Sequence, residues 1–339
     1  MPNEDWMAAF TNRQDLTLAD ITIPVSHDAG LSEAQGCYTP YSTSVGKNQT
    51  ICQYVDVAGQ LTAGSRGFDI RIGVHSGVVR TFHGEGAPGG VLGGWGQTAN
   101  SIFQQIDTFL VNHPGEIVIT RISHTEESAG AHRALRANIH ADRLLRCGPR
   151  NIATMPLNQL RGKCIAIFDK KALDRPDPYN GLHRFIKHPN TDNEGGLTIC
   201  GKYAGWTADL KTMCKKAIKC GNEHGTHDLM LGGKHDHLYM IYWQIAAMAP
   251  SSSVKTFTVT GQDERIKTMI KLVEEKGSHY NLDYILNLHR GDGVQPVGGK
   301  SSNVTLQTRK KFRPNIINLD FVNDISVGKV LEFNAEFLA

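Results

Sequence analysis

Apolar residues fall into two periodicities along this chain. Short β-branched runs alternate with stretches in which apolar residues recur at helical spacing. The runs predict eight strands, over residues 20–26, 67–72, 78–82, 116–122, 163–168, 197–203, 238–245 and 315–322. Helical spacing predicts an N-terminal helix over 4–16, with Trp6, Met7 and Phe10 on one face. Further helices are expected over 55–63, where Val55, Ala58 and Leu61 share a side, and over 99–112, where Ile102, Ile106, Phe109 and Leu110 do. His113-Pro114-Gly115 stops the latter. Residues 129–145, 209–219 and 264–276 read as helices, and 158–162 as the end of a short one. Polar or glycine-dense stretches predict long loops at 31–50, 84–96 and 289–311, the second of them mobile.

Several strands are continuous apolar runs, as expected when both faces of a strand are buried. Strands interleaved mostly with helices make this an α/β chain. No GxGxxG follows the first strand, which favours a closed (β/α)8 barrel over an open sheet. The chain has 339 residues, which suits one barrel domain of about 250 residues with insertions. The glycine-rich 84–96 stretch lacks the lysine and spacing of a P-loop.

Strand ends carry the chemistry. ITIPVSHDAG delivers His27 and Asp28; GSRGFDIRIG delivers Asp69 and Arg71; VVRTFHGEG delivers His83. Two histidines, two carboxylates and an arginine suit acid–base chemistry on a phosphate-like centre. Barrel active sites lie at the C-terminal ends of the strands. Ser123, His124, Tyr203 and Asp320 also fall at or near such ends.

Charge and cysteines narrow the picture. A net charge of +3 does not point to nucleic acid. No run of about 18 apolar residues is present, so no spanning helix is expected. The opening residues lack the basic-then-apolar pattern of a signal peptide, and export and cytoplasmic residence both stay open. Seven cysteines at irregular spacing do not read as a disulfide framework. Cys200, Cys214 and Cys220 with His224 and His227 lack a CxxC pair, which argues against a zinc site. His235 and His237 read as a solvated loop, and Arg309, Lys310, Lys311 and Arg313 as a solvated face. Tyr38, Tyr41, Trp95 and Trp243 are candidate rim aromatics for a bilayer, with burial of Trp243 in its strand the stronger reading.

At IPVSHDAG, QLTAGSRGFDIRIG, TFHGEG, HPGEIVITRISH and NIINLDFV the sequence resembles the X-domain family of phosphatidylinositol-specific phospholipases C, in the small bacterial form. The resemblance runs from about Trp6 to Val322 and is poor in the middle third. It implies a distorted (β/α)8 barrel that cleaves the glycerol–phosphate bond of phosphatidylinositol by attack of the inositol 2-hydroxyl. It implies His27 as general base, Asp320 as its orienting carboxylate, and His83 as general acid assisted by Asp28. Arg71 would neutralise a phosphate oxygen, with Asp69 holding Arg71. Ser123 and Tyr203 would face the head group. Calcium-dependent relatives carry an acidic residue at Arg71, an asparagine at Asp28 and a glutamate at Ser123, so the pattern implies no metal and no cofactor. The expected partner is a phospholipid at a membrane surface, met by a monomer.

Bacterial relatives place a lysine at Ser123, an arginine near Asp169 and an aspartate at Gly201, which leaves open a modified inositol, a glycosylated one, or another head group with a hydroxyl next to the phosphate. Two rivals stay open. A glycerophosphodiesterase-type barrel expects HRG near the first strand, whereas here it is His289-Arg290-Gly291. The other is a non-catalytic binding module on the same barrel. Asp28 could also merely close its turn, Asp69 merely pair with Arg71, and Asp320 merely cap a helix.

Overall fold

The computed structural model describes residues 3–41, 50–84, 93–187, 196–200, 236–243 and 315–338. The predicted helices 209–219 and 264–276, the 289–311 loop, the 309–313 basic cluster, Tyr203 and His235 lie outside them.

Eight parallel strands close a barrel. In chain order they are β1 (Ile23–Ser26), β3 (Gly67–Ile70), β7 (Ile117–Ile122), β8 (Lys163–Phe168), β9 (His183–Lys187), β10 (Leu197–Cys200), β11 (Leu238–Trp243) and β12 (Ile316–Leu319). The pairing order is β1-β12-β11-β10-β9-β8-β7-β3. The register Ser26↔Leu319 and Ser26↔Phe68 sets the ends of β12, β1 and β3 side by side.

Alternation along the strands explains both the core and the site. Ile117 and Ile119 pack with Ile23, Val25, Ile165, Ile167 and Ile316. Val118, Ile122, Cys164, Ala166 and Phe168 instead pack on α3 (Ala99–Asn112) and α4 (Ser128–Asn138). Side chains two apart share a face. The rows beginning Ile23-Val25, Ile117-Ile119 and Ile316 therefore run on to His27, Arg121, and Asn318 with Asp320. Each row starts apolar and ends polar at the C-terminal mouth.

The predicted strand at 78–82 is not in the barrel. It belongs to β5 (Val78–Gly84), in an antiparallel sheet with β2 (Thr39–Pro40), β4 (Ile72–His75) and β6 (Gly93–Thr98), ordered β2-β6-β5-β4. The eighth barrel strand is β9, whose sequence HRFIK is too polar to read as a buried strand. Where the 84–96 loop is described it is strand: Gly84 ends β5, and from Gly93 the chain is β6. The N-terminal helix is broken into a 3-10 turn (Asn3–Asp5) and the four-residue α1 (Ala8–Thr11). Helix α2 (Val57–Thr62) starts after Asp56, whose carboxylate caps Gly59 N, and leaves Val55 exposed. Residues 158–162 fall on a 3-10 turn, Leu157–Gln159.

The opposite end of the barrel is sealed by charge. Arg66 Nε lies 2.6 Å from Glu116 Oε2, both side chains fully buried. Glu116 also accepts the Met7 and Ala8 amides at 3.3 and 2.9 Å. The last helix, α5 (Asp324–Leu338), docks on β1 through Asn334, which donates to Thr22 O at 2.7 Å and accepts its N–H at 2.8 Å. No helix among the described residues is long and apolar enough to cross a membrane.

Candidate active site

Two sharp turns present the catalytic candidates. After β1 the chain turns at Asp28, with φ of 40°, and after β12 at Phe321, with φ of 51°. An L-residue adopts this region at a cost, least for Asp and Asn. Because β1 and β12 are in register, His27 and Asp320 are neighbours. His27 N donates to Leu319 O at 2.9 Å, and His27 Nδ1 lies 2.8 Å from Asp320 Oδ1.

Asp28 is the hub. Its Oδ2 is hydrogen-bonded to His83 Nδ1 and lies 3.3 Å from His27 Nε2, and its Oδ1 lies 3.2 Å from Arg71 Nε. The carboxylate side chain is fully buried. His83 arrives on β5, not on a barrel strand. Phe82 N donates to Arg71 O at 3.0 Å, and this carries His83 over the mouth. The two imidazole centroids are 6.3 Å apart with planes at 86°, so the rings flank one space.

Charge follows from these contacts. Burial works to raise the Asp28 carboxyl, but Arg71, His27 and His83 outweigh it and hold it well below the usual carboxylate range. Burial works against a charged His27, but Asp28 and Asp320 outweigh it and hold its pKa well above the ordinary imidazole value.

Asp69 and Ser123 are also brought to the mouth. Asp69 Oδ1 lies 3.3 Å from Arg121 Nη1 and accepts from Ser123 Oγ at 3.4 Å. The Arg71 Nε faces Asp28, and Asp69 pairs with Arg121. His124 is exposed, with its Nδ1 3.2 Å from Ser123 Oγ. Trp95 is buried, not a rim aromatic, and stacks on His75 at 5.0 Å. His237 is buried 3.0 Å from Asp236 Oδ1, not on a solvated loop.

Three site residues were not foreseen. Arg121 sits on the inward row of β7, its guanidinium 4.8 Å from the Phe185 ring. A lone arginine inside the apolar run EIVITRI was the available signal. Fully buried Gln53 donates to His27 O at 2.8 Å and Leu319 O at 3.1 Å, and accepts from Val322 N at 3.0 Å. It clamps the ends of β1 and β12 together, and nothing in its irregular surroundings foretold it. Cys52 places its sulfur among the same donors. Donor atoms of His27, Cys52 and Asp320, and of Asp28, Cys52 and His83, lie within 4.8 Å of one another.

The sequence matches no family model and no curated protein. The fold has counterparts among solved structures. The phosphatidylinositol-specific phospholipase C of Listeria monocytogenes aligns with 98% of this chain and 99% of its own at a TM-score of 0.55 and 15% identity. A mutant form of the Staphylococcus aureus enzyme aligns with 98% of this chain and 97% of its own at a TM-score of 0.60 and 14% identity. The chain has the barrel fold of these bacterial phospholipases C.

Proposed function

We propose that this chain is a phosphodiesterase cleaving the glycerol–phosphate bond of phosphatidylinositol or a related inositol lipid. The observation that carries the reading is the convergence of His27, His83 and Arg71 on the single carboxylate of Asp28. The hydroxyl next to the phosphate attacks phosphorus, the bond to the glycerol oxygen breaks, and diacylglycerol leaves. The other product is a cyclic inositol phosphate, so the reaction is that of a phosphorus–oxygen lyase. His27 takes the hydroxyl proton, and Asp320 orients it and stabilises the imidazolium. His83, its tautomer set by Asp28, protonates the leaving oxygen. Arg71 neutralises a non-bridging oxygen in the role a metal fills elsewhere. Ser123 and Tyr203 are the head-group residues of this reading. The enzyme works as a monomer at a membrane surface, which it meets transiently.

Diacylglycerol release from phosphatidylinositol micelles tests this with the wild type and His83→Ala. The reading expects turnover to fall by about 10²–10⁴-fold in the variant with lipid binding retained. Binding without turnover in the wild type supports a binding module instead. Turnover that requires calcium supports a metal-dependent barrel.

A further inference from the structure

Cys52 has no part in the proposed chemistry, yet its sulfur is held inside it. The backbone fixes this. Cys52 N donates to Leu31 O at 3.0 Å, and Phe321 N donates to Cys52 O at 2.7 Å. Cys52 is thereby pinned between the chain leaving β1 and the chain leaving β12, the two strands that deliver His27 and Asp320. The residue is 2% exposed, and its thiol donates to Thr50 O at 3.5 Å.

We infer that Cys52, His27 and Asp320 form a site for a thiophilic divalent cation such as zinc, and that its occupation switches the enzyme off. The inference rests on the proposed phosphodiesterase chemistry for its consequence and on geometry for the site itself. The donors are a cysteine sulfur that binds as thiolate once its proton is displaced, an imidazole nitrogen and a carboxylate oxygen, a set that suits zinc. Zinc–sulfur and zinc–nitrogen bonds are about 2.3 and 2.0–2.1 Å long. Donors within 4.8 Å of one another are therefore near enough to share a central ion after small shifts. Calcium and magnesium prefer shells made wholly of oxygen and do not suit a thiolate-centred site. Asp28 and His83 form a second set with the same sulfur, so a cation held by Cys52 stands between both His–Asp pairs. The His27 and His83 side chains are 10% and 23% exposed, so both sets of donors reach solvent at their histidines.

Binding replaces the Cys52 S–H bond with a metal–sulfur bond and the N–H bond of the His27 imidazolium with a metal–nitrogen bond, and both protons go to solvent. Freed of its proton, that His27 nitrogen gives its lone pair to the ion, and Asp320 turns from the imidazole to the metal. His27 can then neither accept the hydroxyl proton nor be held in place to do so. Turnover falls, and a chelator restores it.

The test is calorimetric titration of the EDTA-stripped full chain with zinc chloride, without lipid. The expected result is one tight zinc per chain, weakened by at least about tenfold in Cys52→Ser. X-ray absorption of the zinc-loaded wild type should show one sulfur with nitrogen and oxygen neighbours. That measurement decides the matter if Cys52→Ser does not fold. Unchanged affinity in the variant, a shell of nitrogen and oxygen only, or several sulfurs would overturn the inference. Zinc bound as expected but without effect on turnover would overturn the switch. Absence of lipid cleavage in EDTA strikes the proposed function and leaves the metal site standing.

Discussion

His27 Nδ1 lies 2.8 Å from Asp320 Oδ1, across 293 residues of sequence. The register of β1 on β12 makes the two neighbours, and Gln53 clamps the strand ends from behind. Asp28 and Asp320 together hold the His27 pKa well above the ordinary imidazole value. Acting as a base, His27 must be in its neutral form. The acidic limb of kcat/KM should therefore lie above the ordinary imidazole range. Asp320→Asn should shift that limb toward lower pH and reduce kcat by on the order of 10²-fold or more. A pH profile of both proteins checks this.

The same shifts set the pH dependence of stability. The His27 pKa is raised on folding, so its contribution is full below the unfolded imidazole value and fades as pH rises through the folded one. Asp28 is lowered on folding, so its contribution is present above the unfolded carboxylate value and lost only in strong acid. Urea unfolding across pH should show a decline on the alkaline side that Asp320→Asn flattens.

Asp28 has two separable duties. Its φ of 40° is tolerated by Asn but costs Ala roughly 1–2 kcal/mol. Asp28→Asn and Asp28→Ala should both lose turnover, because each removes the charge shared by His27, His83 and Arg71. Thermal unfolding should find Asp28→Ala the less stable of the two.

Much of this was legible in the sequence because barrel strands write their inward rows plainly. IPVSHD and IINLD run from apolar to charged, and His27, Asp28 and Asp320 stand out at their ends. The Asp69–Arg71 spacing was legible for the same reason. The source of His83 was not, since β5 has the same apolar opening as a barrel strand and differs only in antiparallel pairing. Polar β9 was missed because Arg184 and His183 are buried through hydrogen bonds, to Leu173 O and Leu145 O, that no hydropathy pattern records.

Gly30 positions the acid at a distance. A Cβ there would run into the Thr81 side chain, well inside contact distance. Thr81 sits two residues before His83 on β5, so Gly30→Ala should push β5 off the mouth. The expected result is a drop in kcat with a smaller change in KM, and steady-state kinetics on micelles reads the split.

At the sealed end, Arg66→Met should leave the Glu116 charge buried and unpaired. Breaking such a pair costs about 3–5 kcal/mol. Denaturant unfolding should show that loss, while the pH profile of the remaining folded enzyme keeps its shape, because Arg66 lies at the other end of the barrel from His27.

Phosphorus NMR of the wild type with phosphatidylinositol micelles in EDTA tests the central claim most directly. The account predicts a cyclic inositol phosphate resonance that grows with time in the presence of the chelator. Activity lost to EDTA and restored by calcium, or no phosphodiester cleavage at all, would contradict it.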